Sequence, residues 1–392
     1  MKSSDDWSSV RSVLCIRLDA LGDVLMTTPA LSALKEAVPG RRLTLLTSSA
    51  GSKIAPLLPM IDKTIAYDTP WMKATPQRPS GELDRAMIDQ VRAQSFDAAV
   101  IFTVYSQNPL PAALLCHLAD IPRRLAHSRE NPYQLLTHWV PELEPQQLVR
   151  HEAQRQLDLV ATIGAVAADT RLKIRINSAI QTEVMARLAA AGLDTTRSWI
   201  VIHPGATAAS RRYPPEHFAA VARELYQQHA LQLVFTGAAQ ERGLVDSIIS
   251  AAKVPAISLA GKSTLVQLAV VLCQAALLIS NNTGPVHLAA AVATPVIDLY
   301  AQTNMQHTPW QVPHELLFHD VPCKNCYKSV CPEGHHDCLR RVPPERVVSA
   351  ALRLLRRKNS PSEKPHTSFV PDPGKFIACS TGGTTLVQAK FR

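Results

Sequence analysis

Short apolar runs alternate along this chain with stretches of helical spacing. Runs rich in Val, Ile and Leu at 13–17, 43–47, 64–67, 98–103 and 124–126 predict strands. Stretches at 23–37, 81–94, 109–119 and 150–163 repeat apolar residues three and four apart and predict helices. A run at 172–176 predicts one more short strand, followed by a helix and a polar break at 194–197. The alternation then restarts, with strands expected at 200–202, 231–235, 276–280 and 295–300, a small-residue helix at 289–293 and an amphipathic helix after Pro343. Strands separated by helices form parallel sheets with crossover connections, so the fold class is α/β. The junction divides the chain into a first domain at 11–180 and a second at 181–358. The remainder, 359–392, is rich in Pro, Ser, Thr, Gly and Lys and is expected to be disordered. Loops at 68–80 and 127–145 are long and proline-rich, which at the rim of a sheet suits binding more than packing.

Polar residues interrupt this pattern at the ends of strands. After the first run comes Arg17-Leu18-Asp19-Ala20-Leu21-Gly22-Asp23, and then a helix. Gly22 lets a ligand approach the backbone, and Asp23 stands where the helix begins, a place that N-capping favours. In the second half, three junctions combine glycine with polar groups: Gly205-Ala206-Thr207 before Arg211 and Arg212, Thr236-Gly237 before Glu241, and Asn282-Thr283-Gly284 before His287. Open α/β sheets bind ligands at this end of their strands. Free amides at Thr283 and Gly284, with the positive end of a helix, suit a phosphate. Arg211 and Arg212 would add full charges, and Glu241 suits ribose hydroxyls. No Walker A, Gly-x-Gly-x-x-Gly or Asp-x-Asp motif occurs in these loops, so a diphosphate held without metal is the simpler reading. Each residue also has an ordinary alternative: Asp23 and Glu241 as helix-start carboxylates, His287 as a satisfied helix histidine, the arginines as a solvated pair.

Composition narrows the picture. A chain of 392 residues is long for one core, and 46% hydrophobic with 5% aromatic residues suits a soluble, two-domain α/β protein. The longest apolar stretch, 268–279, is roughly half of what spans a bilayer and contains Gln274. The amino terminus is polar and acidic, without the apolar core of a signal peptide, so a cytoplasmic location is expected. Net charge is +9, with Arg340, Arg341, Arg346, Arg353, Arg356, Arg357 and Lys358 facing only Glu345. Such a helix suits a solvated face or peripheral contact with an anionic membrane surface. No aromatic–basic interleaving accompanies it, and nucleic acid is not expected as a partner.

Taken together, the opening 17–30, His203-Pro204-Gly205-Ala206, Arg212-Tyr213-Pro214-Pro215-Glu216, Thr236-Gly237-Ala238-Ala239-Gln240-Glu241 and Asn282-Thr283-Gly284-Pro285-Val286-His287 resemble glycosyltransferase family 9, the ADP-heptose:lipopolysaccharide heptosyltransferases. The resemblance runs from about residue 13 to 355 with the motifs in family order. It implies a GT-B fold, two Rossmann-like domains facing across a cleft, and inverting transfer of a sugar from a nucleotide donor such as ADP-heptose with no cofactor required. By similarity Asp23 is the general base, Gly22 the turn that admits the acceptor, and Arg17 a group meeting the acceptor's acidic groups. Gly205, Ala206, Thr207 and Arg211 match diphosphate contacts, Gly237 and Glu241 the ribose side, and Asn282, Thr283, Gly284 and His287 the donor-phosphate loop. Asn282 replaces an aspartate common in the family, and Arg211 replaces a lysine. The implied acceptor is an anionic, lipid-linked glycan such as the lipopolysaccharide core. Alternatives of other kinds are a nucleotide-sugar epimerase of the same fold and a non-catalytic nucleotide-sugar-binding protein.

Of eight cysteines, four are clustered, Cys323-x2-Cys326-x4-Cys331-x6-Cys338, with His335 and His336 between them. This density suits a structural zinc at Cys323, Cys326, Cys331 and Cys338, but the spacing is not that of a standard finger, and buried or redox-linked thiols bracing a loop are the more ordinary reading.

Overall fold

The computed structural model describes residues 6–73 and 75–358; the segment 359–392, expected to be disordered, lies outside them. The first half forms a six-stranded sheet from β1 (Ser12–Arg17), β2 (Arg42–Thr47), β3 (Lys63–Ala66), β4 (Ala98–Ile101), β5 (Arg123–Ser128) and β6 (His138–Pro141), in the order β3-β2-β1-β4-β5-β6. All its pairs are parallel. Helices α1 (Leu21–Ala37), α2 (Glu82–Arg92), α3 (Leu110–Leu118) and α4 (Glu152–Ala161) accompany this sheet, and α5 (Ser178–Ala190) begins the second half.

The second half repeats the plan. Its strands β7 (Trp199–His203), β8 (Gln232–Phe235), β9 (Ile257–Ser258), β10 (Leu277–Asn281), β11 (Val296–Leu299) and β12 (His314–Leu317) are ordered β12-β11-β10-β7-β8-β9, again all parallel. Its helices are α6 (Pro215–His229), α7 (Arg242–Ala252), α8 (Leu265–Gln274), α9 (Gly284–Ala291), α10 (Asp337–Arg340) and α11 (Pro344–Lys358). In each sheet the first strand is central and the chain winds outward in both directions. The switch points therefore lie between β1 and β4 and between β7 and β10, where a crevice opens at the strand ends.

Three strands escape the hydrophobic pattern: β6, inside the proline-rich 127–145 loop, β9, of two residues, and β12. The expected strand at 172–176 is not one. That stretch is an extended connection, tied by Arg175 N–H to Leu57 O at 2.8 Å and by Lys173 N–H to Thr28 Oγ1 at 3.1 Å, with no sheet partner. The helix expected at 289–293 begins earlier, at Gly284, because Pro285 suits a first helical turn.

Helix α1 departs furthest from expectation. An amphipathic helix was expected, but Val24 through Leu34 are all buried, Thr27, Thr28 and Ser32 among them. The helix lies between its own sheet, α4 and α9, and a helix enclosed in this way can be apolar on every side. Pro29 removes one N–H from its interior, and the Thr28 hydroxyl donates to Leu25 O at 2.6 Å, the carbonyl that residue 29 would otherwise serve. The Thr27 hydroxyl donates to Asp23 O at 2.8 Å in the same manner. The Thr-Thr-Pro sequence thus keeps a buried helix intact.

One apolar cluster joins the halves. It runs from Val13, Leu25 and Leu31 through Leu57 and Leu58 to Val184, Leu188, Val270, Leu278 and Val286 without a break. Separate cores close the outer faces of each sheet.

Candidate active site

Asp23 lies in the first turn of α1, three residues beyond its N-cap, Ala20. It is therefore not the N-cap itself, but from the third helical position its carboxylate reaches back to the Ala20 backbone N–H as well as toward Arg17. Its neighbour is Arg17, at the end of β1, which is wholly buried. The Arg17 guanidinium is surrounded by three carboxylates: Nε is 2.9 Å from Asp19 Oδ2, Nη2 is 3.3 Å from Asp23 Oδ1 and Nη1 is 2.7 Å from Glu152 Oε1. Arg17, assigned by resemblance to the acceptor's acidic groups, is thus consumed inside the protein. A buried guanidinium with this many partners orients them and does not reach outward.

Three carboxylates around one cation leave an excess of negative charge out of water. Burial pushes the Asp19 carboxyl up to about 6, with Arg17 opposing and Asp23 reinforcing the shift. Burial likewise raises Asp23 above the usual carboxylate range, Arg17 opposing and Glu152 adding to the rise. Glu152 is burdened by burial too, but Arg17 and then Arg155 hold it below its ordinary value. Asp23 retains 19% of its side-chain exposure, and its carboxyl holds a proton more firmly than an ordinary aspartate does.

The second domain meets this network directly. A Cβ on Gly22 would stand 2.8 Å from His287 Cδ2, and one on Gly284 would stand 3.2 Å from Leu21 Cδ2. The first turns of α1 and α9 are therefore in contact, and glycine is needed at 22 for the approach. Thr283 is the N-cap of α9 without a side-chain capping bond; its hydroxyl turns to Asn281 O at 3.3 Å. Pro285 has no N–H and the Val286 N–H donates to Thr283 O at 3.0 Å, which leaves the Gly284 amide at the start of α9 without a side-chain cap.

Around β7 and β8, Gly205, Gly237 and Glu241 pack together. A Cβ at Gly205 would lie 2.2 Å from the Glu241 carboxylate, and Glu241 Oε2 accepts the Ala238 N–H at 2.8 Å. Ala206 is buried, Thr207 is exposed, and Arg212 braces their turn by donating from Nε to Ala206 O at 2.8 Å. Arg211 bears electrostatically on His287, His307, Asp298 and Tyr300. Asn282 donates from Nδ2 to Asp298 Oδ2 at 2.8 Å and to His307 O at 2.9 Å. Asp298, fully enclosed on β11, is pushed by burial up to about 8, against the pull of Asn282 and Arg211. The carboxyl group missing at position 282 is thus present one strand away.

Sequence reasoning missed Glu152, Asp19, Asp298 and His307. Asp298 lies within an apolar strand, and His307 and Glu152 come together only through the docking of residues 304–310 on the start of α4. There Glu152 N–H donates to Gln306 O at 2.9 Å, and His151 pairs with Thr308 O at 2.8 Å while stacking on Trp310. An acidic residue at the first turn of a predicted helix was the one available signal for Glu152.

The cysteine cluster stays together in space: Cys323 Sγ lies 3.7 Å from His335 Nε2, and Cys326 and Cys331 act electrostatically on both Cys323 and Cys338. Cys323, Cys326, Cys331 and Cys338 are free thiols, and among the described residues no group of three or more His, Cys, Asp or Glu side chains converges to hold a metal ion. The loop is also tied to its neighbours: Ser210 Oγ donates to Lys328 O at 2.8 Å, and Tyr327 N–H to Thr303 O at 3.0 Å. Among the described residues no helix is long and apolar enough to cross a membrane.

The pattern of Glycosyltransferase family 9 (heptosyltransferase) matches residues 85–336, more than half of the chain. Lipooligosaccharide heptosyltransferase 2 of Campylobacter jejuni is 31% identical over 164 residues, 40% of this chain and 51% of that protein. The chain thus spans about half the length of this relative. Lipopolysaccharide heptosyltransferase 3 of Escherichia coli K12 is 25% identical over 85% of this chain and 95% of its own. Among solved structures, a family 9 glycosyl transferase from Veillonella parvula superposes with a TM-score of 0.74 at 22% identity, covering 90% of this chain and 99% of that one. The E. coli ADP-heptose lps heptosyltransferase II gives 0.71 at 20%, covering 89% and 100%. These likenesses give the two facing parallel sheets their name, the GT-B fold, and with the family match they establish that the chain is a glycosyltransferase of family 9, the heptosyltransferase family.

Proposed function

We propose that the protein transfers a heptose from ADP-heptose to a hydroxyl of a lipopolysaccharide-core or similar lipid-linked glycan, with inversion and without metal. Asp23 takes the proton of the acceptor hydroxyl as its oxygen bonds to the anomeric carbon. The bond from that carbon to the diphosphate breaks on the opposite face, and its electron pair leaves with the phosphate oxygen. Arg211, the Gly284 amide and the positive end of α9 receive the developing charge. Gly205, Ala206 and Thr207 shape the diphosphate turn, Gly237 and Glu241 border the ribose, and Asn282, Thr283, Gly284 and His287 form the loop facing the base. The observation that carries this reading is the contact of the first turns of α1 and α9, which sets a carboxylate of raised proton affinity beside a helix N-terminus suited to phosphate.

With Arg17 enclosed, the acidic groups of the acceptor would be met by other cations. The enzyme would work in the cytoplasm, at the inner face of the membrane. There the basic surface of α11 could assist, although Arg353 is already paired with Glu315 at 2.5 Å. Binding to anionic vesicles that is lost in salt is the expected sign of that contact. The catalytic assignment is tested with Asp23→Asn. Donor affinity measured by calorimetry should be kept, while transfer falls by about a hundredfold or more; unchanged turnover would refute Asp23 as base.

A further inference from the structure

We propose that Glu152 is a positioning residue that acts through Arg17 to aim Asp23 and set the pH at which it becomes a base, an inference that rests on reading Asp23 as the base. Glu152 is fully enclosed at the first turn of α4, and both ends of it are fixed. Its Oε1 accepts from Arg17 Nη1 and from Gln156 Nε2, each at 2.7 Å, and Gln156 is itself held by Thr103 O at 2.9 Å. Its backbone N–H donates to Gln306 O of the second domain at 2.9 Å.

The consequence is geometric. Arg17 presents Nη1 to Glu152, Nε to Asp19 and Nη2 to Asp23, all from the edge of one planar guanidinium. Glu152, pinned to α4, fixes Arg17, and Arg17 in turn fixes the distance to Asp23. Because the pin is also bonded to the 304–310 segment, the seat of the base depends on how the donor domain is docked. His307, in that segment, lies in the field of Glu152, Arg17, Arg211 and Asp19. The charged and titratable groups around Asp23 are therefore Arg17, Asp19 and Glu152 from its own domain and, from the other, His287 beside Gly22, itself in the field of His307 and Arg211.

Two substitutions should move the pH dependence in opposite directions. Glu152→Gln removes a negative charge and leaves Arg17 more fully to the aspartates, so the acidic limb of kcat should move down by about one pH unit. Arg17→Lys keeps the charge but loses the planar geometry that reaches three carboxylates at once, so the limb should move up. Glu152→Asp should return the limb toward that of the parent protein. The measurements are kcat and KM from pH 5 to 9 with ADP-heptose and a lipid-linked core glycan, ADP affinity by calorimetry, and thermal melts. In Glu152→Gln, kcat should fall at least tenfold with ADP affinity unchanged. A limb that stays in place in Glu152→Gln overturns the proposal. Should that variant fail to fold, an unmoved limb in Arg17→Lys overturns it equally. Failure of the underlying reading looks different, because Asp23→Asn would then turn over normally.

Discussion

Asn282 shows how one residue's identity can be dictated by another on a neighbouring strand. Its amide donates to Asp298, whose carboxyl is buried and pushed up to about 8. An aspartate at 282 would set two acids against each other in a dry site, where one would have to stay protonated. Asn282→Asp should therefore lower the melting temperature and transfer rate, and adding Asp298→Asn should restore both, a coupling that a double-mutant cycle would measure. Asp298→Asn alone carries a pH signature. The folded-state value of this group lies above its unfolded value, so its contribution to stability is present below about pH 4 and is lost as pH rises toward 8. The variant should gain stability over the parent protein progressively across that interval in thermal melts, and a pH-independent difference would show that Asp298 is charged in the folded protein. The aspartates around Arg17 carry a second signature. Because Asp19 is raised to about 6 and Asp23 is raised beside it, they titrate as a pair. The acidic limb of kcat in the parent protein should therefore lie well above the ordinary carboxylate value near 4, and a limb at 4 would argue against burial of the base.

At the scale of elements, the contact of α1 with α9 controls how closely the two halves of the site approach. Gly22→Ala would place a methyl group 2.8 Å from His287 Cδ2. The helices should separate, at a cost of ~1–3 kcal/mol from overpacking, and transfer should fall because base and phosphate loop no longer meet. Adding His287→Ala should recover stability without recovering the rate, as the phosphate loop is then incomplete; recovery of both would show that His287 only fills space. Glycine at 22 was legible from its place in a strand–turn–helix junction, although its partner was not. The same division holds elsewhere. β1, β4, β7 and β10 were readable because apolar runs of strand length have few other solutions, and their polar ends marked the crevice. Glu152 and Asp298 were not readable, because each takes its meaning from a partner more than ten residues away, Arg17 in one case and Asn282 in the other. The burial of α1 on every side likewise depends on α4 and α9, which no local period reports. At 172–176 the apolar residues were real but served the seam between the halves and not a sheet.

At the scale of the molecule, that seam raises the question of whether the two sheets behave as independent bodies. Domains joined by small polar contacts move and unfold separately; those joined through a large apolar contact do not. Here a single apolar cluster reaches from Val13 in the first sheet to Leu278 in the second, by way of α1, α9, α8 and the 3₁₀ turn Gly51–Leu57. Polar bonds add a second attachment: Gln306 Nε2 to Glu144 Oε2 at 2.5 Å, Trp310 Nε1–H to Thr170 O at 2.7 Å, and the bond from Glu152 N–H to Gln306 O. Breaking either half exposes apolar surface of the other, so the two should melt together. Calorimetry should give one transition, with calorimetric and van't Hoff enthalpies in agreement. Leu57→Ala, at a buried position next to the seam, should cost ~2–5 kcal/mol and lower that transition as a whole. Two resolved transitions, or a Leu57→Ala variant in which only one part of the heat absorption moves, would mean that the sheets are coupled through the polar bonds alone.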